Sequence, residues 1–111
     1  MKASIASRVR KGAKLLDKHI PGWRAQIKVE TLNLTSADYC IVGQLGWWEP
    51  LKKMGLDCAG PDTLAQYGFE VPKKYYTMAD QSHHKSMKQK KQALFERLQI
   101  EWMRHLPTNF S

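Results

Sequence analysis

The sequence predicts a mainly α fold: a small, compact, single-domain helical protein with a long C-terminal helix and room for one short strand pair. Three observations predict it. Apolar residues recur at helical spacing near both ends. Val9, Gly12, Ala13, Leu16 and Ile20 share one stripe, and Met87, Leu94, Phe95, Leu98, Trp102 and Leu106 share another. Glycine and proline then punctuate the middle at intervals that suit short helices: Pro21-Gly22, Gly46, Gly55, Pro61 and Gly68. Finally, 111 residues with 42% apolar content and four tryptophans can build one modest core without a metal or a disulfide framework.

Each element follows in order. Ser7 is a good N-cap, so the first helix is expected from there to about His19. Arg10, Lys11, Lys14 and Lys18 fall on the side opposite its apolar stripe. Pro21-Gly22 ends it, because proline cannot continue a helix and glycine permits a sharp turn. Trp23 and Ile27 should return to the core from a short helical turn, and Val29, Leu32 and Leu34 suit an extended piece. Ser36 can cap a buried helix from Ala37 to Leu45, closed by Gly46; the alternative is a strand through Asp38–Leu45. Short helices are expected over Glu49–Met54 and from Pro61-Asp62-Thr63 to Gly68, followed by a loop from Glu70 to Met78. Thr77 or Asp80 would cap the last helix, from about Gln81 to His105, before Leu106-Pro107 stops it. Lys90, Arg97 and Arg104 make a second stripe on that helix, and Ile100 and Met103 lie off its apolar arc. The core is expected within 7–106, with frayed ends and fraying early turns in the polar stretch 82–92.

Charge is segregated along the chain. Residues 1–28 carry eight basic side chains against one acid, residues 29–72 carry two against six, and residues 73–111 carry eight against three. The net charge is +8, with two cationic ends around an anionic middle. Such a chain should offer a positive surface to a polyanion or an acidic partner. The nucleic-acid-binding candidates are Arg8, Arg10, Lys11, Lys14 and Lys18 near the start, with Lys90, Arg97 and Arg104 near the end. No zinc-finger spacing, base-stacking sheet motif or heptad zipper is present, so phosphate contacts should dominate over base reading. Trp47, Trp48, Ile100 and Met103 are the partner-binding candidates; adjacent Trp47 and Trp48 cannot point the same way, so either one enters the core while the other stays exposed as an anchor, or neighbouring helices bury most of both.

Catalysis and metal binding find little support. Cys40, Cys58, His83 and His84 lack the paired spacing of a zinc site, and no catalytic site, cofactor or metal is expected. Asp57 and Asp62 read as solvated loop acids. Both cysteines read as reduced, with Cys40 buried. No apolar run approaches the roughly 18 residues a membrane span needs, and the basic N-terminus lacks the apolar stretch of a secretory signal, so an intracellular setting is expected.

Several short motifs add a resemblance. Gly12-Ala13 with Leu15-Leu16-Asp17, the Pro21-Gly22-Trp23 turn, Cys40 with Gly43-Gln44-Leu45, then Gly55-Leu56 and Tyr67-Gly68-Phe69 span Lys11 to about Val71. Together they resemble a family of small phage and prophage proteins, found mainly in actinobacterial phages and without an assigned activity. Two features depart from that pattern: Trp47-Trp48 stand where the family often has Phe-Gly, and the Lys-rich stretch from His84 to Lys91 is longer and more basic. The resemblance implies a phage or prophage origin and a role in the cytoplasm of a bacterial host. It transfers no catalytic residue. The leading expectation is therefore a non-enzymatic protein that binds DNA, RNA or a nucleoprotein complex. The alternatives are an anti-defence inhibitor that occludes a host protein, for example an anti-CRISPR protein, and a virion or assembly protein that forms a homo-oligomer.

Overall fold

Two long helices, the first strongly amphipathic, lie towards either end of the described chain, and a relay of short helices connects them. The computed structural model describes residues 4–72 and 85–106, with side chains from 88 onward in the second stretch. In order, the helices are α1 (Ile5–His19), α2 (Trp23–Gln26), α3 (Ile41–Gln44), α4 (Trp48–Lys53), α5 (Pro61–Gln66) and α6 (Lys85–Met103), with one 3-10 turn at Val29–Thr31. They form a single domain, and no strand occurs among the described residues. The strand alternative for Asp38–Leu45 and the strand pair are thereby corrected. That segment closes its backbone bonds locally, with Cys40 N–H donating to the Ser36 carbonyl and Gln44 N–H to the Cys40 carbonyl.

Helix α1 starts one turn earlier than Ser7. Ser4 is the cap, and its hydroxyl accepts from the Ser7 N–H at 3.1 Å. The earlier start brings Ile5 against the core, an apolar gain that a cap at Ser7 would forgo. The expected helix over Ala37–Leu45 shrinks to the single turn of α3. The reason is a side chain from ten residues on: the Trp47 indole N–H donates to the Ala37 carbonyl at 2.5 Å, taking the acceptor a continuous helix would need. The Cys40 thiol caps α3 instead, accepting from Gly43 N–H at 3.3 Å. Gly22, Gly46, Gly55 and Gly68 all take positive φ, at the turns where the sequence placed stop signals. The expected caps Thr77 and Asp80, the first turns from Gln81, and the C-terminal stretch 107–111 lie outside the described residues.

The core centres on α1 and α6. Val9, Gly12, Ala13 and Leu16 bury one face of α1, and Phe95, Leu98, Trp102 and Leu106 bury one face of the C-terminal segment. Trp102 is fully buried, stacks on Phe69 at 5.5 Å, meets Trp23 edge-on at 5.8 Å, and donates its indole N–H to the Gly68 carbonyl at 2.6 Å. Such aromatic pairs add about 0.5–1.5 kcal/mol each beyond the area they bury. Two glutamines act as clamps on irregular backbone. Gln99 accepts from Leu34 N–H and donates to the Leu32 carbonyl, pinning the loop after the 3-10 turn to α6. Gln44 does the same for Lys28, and also donates to the Tyr39 carbonyl.

Candidate nucleic-acid interface

The positions of the basic residues on α1 follow from its periodicity. Because the apolar stripe faces inward, Arg10, Lys11, Lys14 and Lys18 are exposed, while Arg8 is half-buried. None of the five has an ion-pair partner among the described residues. Asp17, the one acid in α1, is engaged elsewhere: its carboxylate accepts from the Arg24 guanidinium and from the Trp23 indole N–H, the latter at 2.9 Å. Those hydrogen bonds, first from Arg24 and then from Trp23, hold the Asp17 carboxyl below its usual range. Arg24 in turn stacks over the Trp23 ring at 4.6 Å and donates through Nε to the His105 carbonyl at 2.8 Å. The acid that would have neutralised the α1 row is thus spent on locking α1, α2 and the end of α6 together.

The α6 row is composed differently. Lys90 is exposed. Arg97 and Arg104 are also exposed, at 66% and 70% of their side-chain surface, yet both lean on Glu101, at 3.9 and 3.5 Å. Glu101 is only 6% exposed and breaks a stripe that the seven-residue spacing presents as continuous. The stripe is therefore partly neutralised: two guanidiniums share one carboxylate. Glu101 could have been found in the sequence, since it stands four residues after Arg97 and three before Arg104, the spacings at which helical side chains meet.

Helices α1 and α6 run in the same sense and lie side by side, the start of α1 against the stretch 90–97 and its middle against Trp102. Ile5 of α1 lines a groove of about 430 Å³ with Lys90, Ala93, Leu94 and Arg97 of α6. Further along, Gly12 abuts the Trp102 ring, where even a methyl group would stand 3.0 Å from it. At the far end the His105 imidazole has its pKa lowered, first by burial and then by the positive charges of Arg24 and Arg10. Arg10 of α1 therefore lies close enough to act electrostatically on His105. Lys90 and Arg97 share the groove at the seam, Arg10 lies near His105, and Lys11, Lys14 and Lys18 are exposed on α1.

The partner-binding candidates divide. Trp47 packs partly into the core and uses its indole N–H internally, whereas Trp48 is 68% exposed, so one enters and one stays out. Trp47 also holds a strained backbone conformation, φ 58° and ψ −81°, at the residue that turns Trp48 outward. Ile100 and Met103 are exposed and line a separate groove of about 530 Å³ with Asn33, Thr35 and Gln99. Cys40 is buried and Cys58 is exposed, and burial pushes the Cys40 thiol pKa up. His83 and His84 lie outside the described residues, and no metal-holding group of three His, Cys, Asp or Glu side chains exists among the described ones. No described helix is long and apolar enough to cross a membrane. No family model, curated protein or solved structure matches the chain.

Proposed function

We propose that this is a non-enzymatic binding protein of phage type that engages nucleic acid, or a nucleoprotein complex, mainly through phosphate contacts. The observation that carries the reading is the α1 row, which has no ion-pair partner among the described residues and lies on a helix that packs beside α6, where Lys90 and Arg97 are exposed. Lys and Arg side chains that neutralise phosphates release condensed counterions, which makes affinity steeply salt-dependent and largely independent of sequence. The motifs Gly12-Ala13, Pro21-Gly22-Trp23 and Tyr67-Gly68-Phe69 support a phage or prophage origin and action in the cytoplasm of a bacterial host. The test is a mobility-shift assay on mixed-sequence DNA and RNA at low salt. A shift at micromolar protein that vanishes as salt rises supports the reading, and no shift on either nucleic acid overturns it.

A second reading is favoured by Trp48, whose exposed ring at the start of α4 is an apolar anchor of the kind protein interfaces use. In that reading the protein is an inhibitor that occludes a host defence protein. A pull-down from host lysate separates the two. Retention of one host protein after nuclease treatment, lost in Trp48→Ala, supports inhibition.

A further inference from the structure

We propose that the groove between α1 and α6 seats one unpaired nucleoside of a single-stranded nucleic acid, flanked by its two phosphates. This rests on the nucleic-acid reading above and narrows it to one strand state. The groove has a volume of about 430 Å³, within the range of small-ligand sites. Its floor is apolar, made by Ile5, Ala93 and Leu94, and its two ends are cationic, made by Lys90 and Arg97. Lys90 and Arg97 are two helical turns apart, about 10.5 Å along the axis, and both side chains are long enough to lean inward.

The order cation, apolar floor, cation along α6 matches the order phosphate, nucleoside, phosphate along a single strand. A duplex cannot use this arrangement. Its base faces are stacked inside, so only base edges, sugars and phosphates reach the protein, and an apolar floor that needs a base face adds nothing to the electrostatic term. A single strand can turn a base outward and lay its apolar face on Ile5 and Leu94. Glu101 stands 3.9 Å from the Arg97 guanidinium Nε, four residues further from Lys90, and leaves Arg97 exposed enough to reach a phosphate. The floor has no aromatic ring, so its effect is expected at the low end of the stacking range, a factor of about five to ten in affinity.

The test uses fluorescence anisotropy with one labelled mixed-sequence oligonucleotide, free and annealed to its complement, at matched low salt. The full chain is compared with Ala93→Gln, which places a neutral polar side chain on the floor at an exposed helical position, and with Ile5→Ala, which shortens the floor from the α1 side. The expected result is tighter binding of the single strand, reduced about five- to tenfold by Ala93→Gln and Ile5→Ala, with duplex affinity held within about twofold. Equal affinity for both strand states, unchanged in the two variants, overturns the groove assignment and leaves the cationic surface standing. Failure to bind either form overturns both.

Discussion

Replacing Gly12 with alanine tests the seam that packs α1 against Tyr67 and against Trp102 of α6. Glycine inside a helix is ordinarily the weaker residue, costing about 0.5–1 kcal/mol relative to alanine, so the intrinsic effect of Gly12→Ala is stabilising. Here the geometry reverses the sign. A Cβ on residue 12 would stand 2.0 Å from the Tyr67 carbonyl oxygen and 3.0 Å from the Trp102 ring. Neither neighbour yields easily, because one is backbone and the other is a fully buried indole bonded to the Gly68 carbonyl. Overpacking of this kind costs typically 1–3 kcal/mol, and a collision with backbone belongs at the upper end. The net loss is about 1–2 kcal/mol, which in a domain near this size lowers the melting temperature by roughly 5–15 °C. Thermal unfolding followed by far-ultraviolet circular dichroism reads this directly. A melting temperature equal to or above that of the parent protein would show that α1 does not sit against Tyr67 and Trp102 in this way.

Other outcomes follow from the same geometry. The His105 pKa is lowered from 6.5 in the folded state, so the unfolded chain takes up that proton first; stability should fall as pH drops below about 6.5, and His105→Asn should flatten that slope. Asp17 acts further down, because its folded pKa lies below 3.8: the stability it contributes is present above that value and is lost as pH falls through the depressed one. Thiol titration with an aromatic disulfide reagent should label Cys58 rapidly and Cys40 only on unfolding, and fast labelling of both thiols would contradict the burial of Cys40. Trp48→Ala should change stability by no more than about 0.5 kcal/mol, while removing most of the tryptophan fluorescence that acrylamide quenches in the native state. Glu101→Gln should tighten phosphate binding at low salt and steepen its salt dependence, because it releases Arg97 and Arg104 from their shared carboxylate.

Much of this architecture is legible in the sequence where one signal acts alone. The stripe Val9, Gly12, Ala13 and Leu16 needs only a period of 3.6, and it is buried as that period requires. Pro21-Gly22, Gly55 and Gly68 end helices because glycine there takes positive φ. Trp47 and Trp48 part because adjacent side chains diverge. What the sequence left hidden depends on partners distant along the chain or on competition for one acceptor. The Ala37 carbonyl goes to the Trp47 indole, a tertiary bond that no local propensity foretells, and the helix expected over Ala37–Leu45 shortens accordingly. Ser4 outcompetes Ser7 as a cap because Ile5 finds a core to join. Within the candidate interface, the outward α1 row follows from periodicity, whereas the Ile5 groove requires knowing that α1 and α6 lie side by side.

The central claim is that the α1 lysines face outward, unpaired, as part of a surface that meets phosphates. The most direct measurement is the dependence of the binding constant on salt, from about 50 to 200 mM, for the parent chain and for the triple variant Lys11→Gln, Lys14→Gln, Lys18→Gln. On duplex DNA each phosphate contact contributes about −0.9 to the slope of log K against log salt. The triple variant should therefore bind more weakly, with a slope shallower by about 2.7 if all three lysines make such contacts. A parent slope near zero, or one that the triple substitution leaves unchanged, would contradict the claim.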